Sequence, residues 1–192
     1  MKILQRLTPP FETMAEAWTG HYRTLGSASE ADCVIGLSFG YRGKHQQIAP
    51  GLSNEDLAAV ALNAYPQLPK ILQFEIGDAY GALGARDARS VMKIKKHRTP
   101  GKYLDTREVI MQAKLIMEKQ GYKKAVLLAH PAHMPRVQAA CTAAGIEWVA
   151  DDALRNQVEF DEQSTQKWTR DWEHWRGYEP LALLLYRLKG WA

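Results

Sequence analysis

His133 and Arg136 are the residues whose types and spacing most directly suggest chemistry. They stand three positions apart in the stretch 130–136, so on the first turn of a helix both side chains point the same way. An imidazole placed there is able to act as acid, base or phosphate donor near neutral pH, and a guanidinium grips a carboxylate or phosphate through two hydrogen bonds. The alternative is an ordinary surface histidine and arginine on a helix.

Thr106 and Glu108 form a second candidate pair, at the start of another predicted helix. Asp105 as N-cap with Glu108 three residues later is a capping box, which by itself explains the carboxylate. If the site is catalytic, we expect His133 to be the acid–base group and Arg136 to clamp an anion. Glu108 and Thr106 would then orient His133 or a water molecule.

A glycine-spaced loop over 39–45 follows the first predicted strand. It lacks both nucleotide-binding fingerprints: a Walker loop needs glycine where Ser38 stands and Ser or Thr directly after Lys44, and no G-x-G-x-x-G occurs. What remains is a loop that brings Arg42 and Lys44 to an anion and closes over a ligand, or an ordinary solvated loop. The candidate ligand-binding residues of this part of the chain are Gly36, Ser38, Gly40, Arg42 and Lys44.

Strands alternate with helices along the chain, which predicts an α/β fold with a mostly parallel sheet of about five strands. The predicted strands cover 33–38, 70–76, 91–94, 125–129 and 146–149. The predicted helices cover 11–25, 53–64, 106–119 and 134–144, with an apolar helix restarting at Pro180 and three tryptophans at helical spacing before it. A capping box of Ser53 and Asp56 opens the second of these helices, and 77–87 is expected to be a loop with a short helix at best.

The polar candidates all fall where helices begin or strands end. Open α/β sheets bind ligands at that edge, because helix N–H groups and the crevice beyond the strand ends converge there. We therefore expect an anionic small-molecule ligand, phosphorylated or nucleotide-like, at the C-terminal edge of the sheet.

Length and composition restrict the remaining possibilities. At 192 residues the chain is expected to form one domain, with residues 1–30 and 160–192 as helical flanks. No apolar run reaches the roughly 20 residues of a membrane span and no secretion signal is evident. Cys33 and Cys141 have the character of reduced core thiols, so a cytoplasmic location is expected.

Metal and nucleic-acid sites are both disfavoured. His130 and His133 have H-x-x-H spacing, but Pro131 keeps them off a common helix and no third ligand is evident, so no metal is expected. The only basic run, 93–98, is short and has few aromatic residues near it, and a net charge of +4 is slight, so nucleic acid is an unlikely partner. The sequence leaves a homo-oligomer open.

Several short segments resemble the SanA/YdcF/ElyC-like domain family of bacterial proteins, whose biochemistry is largely undefined. The segments are 34–36, 106–108, 125–129, 133–136 and 176–179, and the similarity extends from about residue 32 to the C-terminus. The resemblance implies a Rossmann-like three-layer sandwich with a polar cleft. It also implies either binding of a nucleotide-like molecule such as S-adenosylmethionine or a role in envelope and lipid-carrier metabolism.

The chain departs from the family pattern at positions that bear on activity. The family signature Asn-Thr-x-Glu-Asn has Asp105 and Val109 in place of its two asparagines, and the strand exit reads Ala129-His130 where Ser or Thr is usual. With no evident nucleophile, the sequence leaves open a phosphorus-directed hydrolase or transferase and a non-catalytic small-molecule sensor. It requires no cofactor.

Overall fold

The computed structural model describes residues 11–43, 47–84 and 91–192, and within them one five-stranded sheet in which every strand is parallel to its neighbours. The strands are β1 (Cys33–Gly36), β2 (Lys70–Gln73), β3 (Val91–Ile94), β4 (Lys124–Leu128) and β5 (Glu147–Val149). The α-helices of these ranges are α1 (Phe11–Thr19), α2 (Leu52–Ala64), α3 (Phe74–Ala82), α4 (Thr106–Gln120), α5 (Met134–Ala143) and α6 (Trp172–Leu188). The α/β class and the Rossmann-like three-layer architecture are confirmed.

The strand order β3-β2-β1-β4-β5 places β1 and β4 side by side at the centre of the sheet. Both strands are apolar and buried, as strands covered by helices on both faces must be. The chain leaves β1 toward β2 and β3 on one side and returns to β4 on the other. The crevice beyond the carboxyl ends of β1 and β4 is therefore the point where such sheets bind ligands.

Helix α4 carries the second candidate pair and forms as its local sequence predicts. The N-cap Asp105 accepts a 2.9 Å hydrogen bond from the backbone N–H of Glu108, and Gly121 ends the helix in the left-handed conformation at φ 75°. Its inward face is buried in the main core, at Val109, Ile110, Ala113 and Met117. Local signals were sufficient here.

Over 77–87 the sequence predicts a loop with a short helix at best, whereas the structure has a nine-residue helix, α3, that reaches from 74 to 82. Strand β2 ends at Gln73, and helix α3 follows at once. The buried side chains of Ile76, Ala79 and Tyr80 have helical spacing and face the core. The neighbouring Gly77 and Gly81 add no side chain to the pattern, which is why the helical period was not visible in the sequence. The residues 85–90 lie outside the described ranges.

The predicted capping box of Ser53 and Asp56 is also wrong. Helix α2 begins at Leu52 with Gly51 as its N-cap, and no side chain caps it. The hydroxyl of Ser53 instead donates to the backbone oxygen of Glu159, and the carboxylate of Asp56 accepts from the backbone N–H of the same residue. A tertiary contact thus uses the groups that the local pattern assigned to capping.

Two other helix boundaries differ from those predicted. Helix α1 ends at Thr19 because Gly20 takes a left-handed conformation at φ 70°, where its backbone lies against the ring of Trp172. Helix α6 does not restart at Pro180 but runs through it without interruption. No helix in the described ranges is long and apolar enough to cross a membrane.

Candidate functional site

A cleft of about 260 Å³ lies beyond the carboxyl ends of the central strands. Its walls come from the segments after β1, β2 and β4, from the connector before α4, and from α6. Five of the residues proposed from sequence line it together, namely Ser38, Gly40, Thr106, His133 and Arg136. The residues that sequence analysis did not propose include Gln73, Tyr103, Trp168, Trp175, Tyr178 and Lys189.

The hydroxyl of Thr106 connects the two candidate pairs. Its Oγ1 lies 3.2 Å from Nε2 of His133 and accepts a 3.0 Å hydrogen bond from Nη1 of Arg136. All three residues are buried. Residues 27 to 30 positions apart in the chain therefore form one polar cluster at the first turns of α4 and α5.

Arg136 is already paired inside the protein. Its Nε donates to both carboxylate oxygens of Glu179 at 3.0 Å, and the exposed side-chain fractions are 7% for Arg136 and 0% for Glu179. Burial opposes the charge on the guanidinium, but Glu179 outweighs that effect and raises the pKa of Arg136. A ligand anion would therefore share Arg136 with an internal carboxylate instead of meeting a free cation.

The imidazole of His133 is neutral at physiological pH. Burial, followed by the charges of Arg136 and His130, holds its pKa well below the ordinary value. Its Nδ1 is buried and has no hydrogen-bond partner among the described residues. A neutral imidazole carries one N–H and is not an imidazolium acid, and a strongly lowered pKa makes it a weak base, so hydrogen bonding is the chemistry that suits His133.

His130 belongs to the framework of the site. Its ring stacks on Phe39 with centroids 4.0 Å apart, and its Nδ1 accepts from the backbone N–H of Ala132. Burial lowers the pKa of His130 to about 3, so this ring too is neutral. In the described ranges no group of three or more His, Cys, Asp or Glu side chains is arranged to hold a metal ion.

Glu108 does not join the cluster around His133. Its carboxylate accepts from the backbone N–H of Arg98 at 3.0 Å, from Nε of Arg98 at 2.7 Å and from Gln112 at 2.9 Å. The capping box is therefore only half formed, because Asp105 caps the helix while Glu108 holds the connector that precedes α4. The expected role of orienting His133 receives no support from these contacts.

Glu108→Gln is expected to cost about 1–2 kcal/mol of stability at pH 7. Hydrogen bonds from Arg98, against an opposing effect of burial, lower the pKa of Glu108 to about 2. A depressed pKa means that the carboxylate stabilises the fold above its ordinary pKa near 4.5, and that this contribution is lost as the pH falls toward 2. Urea unfolding of both proteins at pH 7, 4.5 and 2.5 tests this.

The control for that experiment is Glu118→Gln, which removes an exposed carboxylate from the same helix. We expect it to change stability by less than about 0.5 kcal/mol at every pH. A Glu108 effect that does not shrink on acidification would contradict the assigned ion pair.

Gly36, the last residue of β1, and Gly40 in the loop after it allow close packing. A Cβ on Gly36 would lie 2.5 Å from Cδ2 of Leu72 in the neighbouring strand, and Gly36 does not line the cleft. Gly40 has φ 71°, and a Cβ there would meet the hydroxyl oxygens of Ser164 and Thr169 at 2.5 Å. Gly40 thus permits close approach of the 164–169 segment, which forms one wall of the cleft.

Arg42 is engaged with Asp161 and does not reach the cleft. Its Nε lies 2.8 Å from Oδ2 of Asp161, and its Nη2 lies 2.7 Å from Oδ1. Buried Asn54 also ties this loop down, since it accepts from the N–H of Phe39 and donates to the oxygen of Gly40. Lys44 lies outside the described residues, so its predicted anion contact stays a prediction.

Glu75 is the most distinctive residue that sequence analysis missed. Its Oε2 accepts a 2.7 Å hydrogen bond from the hydroxyl of Ser38, and the N–H of Ser38 donates to Oε1 of Gln73 at 3.1 Å. Burial raises the pKa of Glu75 to about 7. The available signal was the polar pair of Gln73 and Glu75 at the end of β2, but placing both inside a longer strand concealed it.

Aromatic side chains form the mouth of the cleft. The rings of Trp168 and Tyr178 stack with centroids 5.3 Å apart and planes 19° apart, and both are more than a third exposed. Tyr103 is exposed and its hydroxyl accepts from Gln166. Of the three tryptophans at helical spacing, Trp175 is buried, whereas Trp168 lies in a separate 3-10 turn and is more than a third exposed.

No family model, curated protein or solved structure matches this chain. The resemblance to the SanA/YdcF/ElyC-like family therefore stays a prediction that rests on the short segments named above. Any assignment of function has to come from the cleft itself.

Proposed function

We propose that this chain binds a nucleotide-like small molecule, with a planar base and an anionic group, in the cleft at the central strands. The observation that carries the proposal is that stacked, exposed aromatic rings and the buried polar cluster of Thr106, His133 and Arg136 line the same cleft. Polar groups converging in a largely apolar pocket at this edge are what a ligand site of an α/β sheet requires.

The aromatic mouth is suited to a nucleobase. Tyr103 and the outer faces of the stacked Trp168 and Tyr178 rings provide flat, apolar surface at the entrance. Stacking of a base on such a ring contributes about 1–3 kcal/mol. A planar heterocycle is therefore the group that we assign to the mouth.

Two cations of the cleft are placed for an anionic group. Arg136 lines the cleft while its Nε binds Glu179 and its Nη1 binds Thr106. Lys189 is exposed at the rim, with its ammonium 4.5 Å from the centre of the Trp191 ring. Because Glu179 already balances the charge of Arg136, this arrangement suits an anion of low charge, such as one phosphate or carboxylate.

The cluster favours binding over catalysis. The imidazole of His133 is neutral, and its Nε2 lies 3.2 Å from Oγ1 of Thr106. The guanidinium of Arg136 is paired with Glu179, so neither side chain is free to act in phosphoryl transfer. A non-catalytic sensor or binding protein fits these contacts better than the hydrolase or transferase considered from the sequence.

Calorimetric titration of the full chain with AMP, ADP, S-adenosylmethionine and inorganic phosphate tests the proposal. We expect at least one of the three adenosine compounds to bind with a Kd below about 1 mM, and phosphate alone to bind more weakly, since it lacks the stacking group. Trp168→Ala should raise the Kd of the bound compound about 5- to 100-fold.

Trp18→Ala is the matched control, because Trp18 is exposed but lies outside the cleft. It should leave the affinity unchanged. The proposed function would be refuted if none of the three adenosine compounds bound the folded protein at millimolar concentration. An equal loss of affinity in both tryptophan variants would refute it as well.

A further inference from the structure

Helix α6 presents an apolar face to solvent. From Gly177 to the end of the helix every exposed residue is apolar, and those with side chains are Tyr178, Leu181, Leu185 and Leu188, here called the α6 stripe. Their exposed fractions lie between 37% and 60%. A helix at the surface of a monomer normally turns polar residues to solvent. A contiguous apolar surface of this kind is typical of a contact with another molecule.

The α6 stripe is large enough to hold two copies together. Its exposed fractions correspond to on the order of 400 Å² of surface per copy. Two stripes in contact would bury about 800 Å² before the flanking side chains are counted, which approaches the lower limit of about 1,000 Å² for a specific protein–protein contact. The area therefore suits a dimer of moderate affinity.

The spacing of the α6 stripe is the same in both directions along the chain. Its intervals are three, four and three residues, which is the a/d pattern of a coiled coil. An antiparallel second copy therefore matches the stripe layer by layer, with Leu181 of each copy against Leu185 of the other and Tyr178 against Leu188. A surface that matches itself in this way is what a twofold symmetric contact requires.

The charges of α6 favour the antiparallel direction. The helix begins with Asp171 and Glu173 and ends with Arg187 and Lys189. An antiparallel pair brings the acidic start of each helix toward the basic end of the other, and it also opposes the two helix dipoles. A parallel pair would instead bring like charges together. Charge and spacing thus select the same occupant, a second copy of this chain.

We infer that the chain forms a homodimer in which the α6 stripes of two copies pack antiparallel. Tyr178, Leu181 and Leu185 also line the cleft, so the second copy contributes to the wall of the cleft on that side. The inference goes beyond the proposed function and does not depend on it, because the contact needs no ligand.

Sedimentation velocity of the full chain tests the inference. We expect a dimer with a Kd below about 50 μM. Leu181→Glu should raise that Kd at least about tenfold, because it places a carboxylate of each copy in an apolar layer. Leu115→Glu is the matched control, since Leu115 lies on α4 and is as exposed as Leu185, at 48%. It should leave the Kd unchanged.

Oxidative cross-linking tests the direction of packing. Two cysteines are bridged only when their Cα atoms lie within about 7 Å of each other, and Leu181 faces Leu185 in the antiparallel pair. An equal mixture of the Leu181→Cys and Leu185→Cys proteins should therefore give the mixed disulfide in clear excess over the roughly one half expected from random pairing. The native Cys33 and Cys141 do not interfere, because both are buried.

Three outcomes would overturn the inference. The first is a chain that stays monomeric at about 50 μM, whether or not its α6 stripe then binds phosphatidylglycerol vesicles. The second is an equal loss of dimer in the Leu181→Glu and Leu115→Glu proteins. The third is a mixed disulfide no more frequent than random pairing gives. Because Leu181 is exposed, its substitution leaves the fold intact, and a circular dichroism melting curve of the variant checks this.

Discussion

Arg136→Met is expected to lower the free energy of unfolding by about 3–5 kcal/mol. The substitution leaves the carboxylate of Glu179 fully buried without the guanidinium that now binds both of its oxygens at 3.0 Å. It also removes the donor to Thr106 and the cation packed within 6 Å of the Trp175, Tyr178 and Tyr186 ring centres. Urea unfolding at pH 7 measures the loss.

The double variant Arg136→Met/Glu179→Leu should recover much of that loss. Replacing both partners of a buried ion pair by apolar side chains removes the desolvation cost together with the attraction, so the two single effects are not additive. The surface pair of Arg155 and Asp152 provides a matched control. Both of its side chains are more than half exposed, and Arg155→Met should cost less than about 1 kcal/mol.

The outcome bears directly on the site. A single variant within 1 kcal/mol of the unmodified protein would contradict the buried pair and would make Arg136 a free anion clamp, as its spacing with His133 first suggested. A large loss of stability in Arg136→Met that Glu179→Leu restores would show that the main role of Arg136 is to hold the cleft together.

Glu75→Gln is expected to stabilise the protein by up to about 3 kcal/mol at pH 8. Burial raises the pKa of Glu75 to about 7, whereas in the unfolded chain the group titrates near 4.5. The folded state therefore holds the proton more tightly, and the carboxylate destabilises the fold fully above pH 7 and not at all below about 4.5. The amide removes this penalty and still accepts from Ser38.

Thermal and urea unfolding at pH 8, 6 and 4.5 would follow the gain as it disappears on acidification. Glu118→Gln, which removes an exposed carboxylate from helix α4, serves as control. It should show no comparable gain. A Glu75→Gln protein that is less stable at pH 8, or equally stabilised at all three pH values, would show that the folded protein does not carry an unbalanced buried charge at Glu75.

The sequence by itself determined most of the elements and the edge at which the site lies. The apolar runs of β1 and β4, and the Asp105 and Gly121 signals of α4, depend on contacts between residues a few positions apart, so local periodicity reveals them. Placing Ser38, Thr106, His133 and Arg136 at strand ends and helix starts then brought them to one cleft, because parallel strands end on the same side of a sheet.

Only the tertiary structure decided what these side chains do. Arg136 meets Glu179 43 residues away, and Ser38 meets Glu75 37 residues away; no local pattern encodes either pairing. For the same reason the sequence did not reveal that the carboxylate of Glu108 binds Arg98 on the preceding connector. Charge and protonation depend on burial and on neighbours that the strand order brings together, and so the character of the cleft follows from topology.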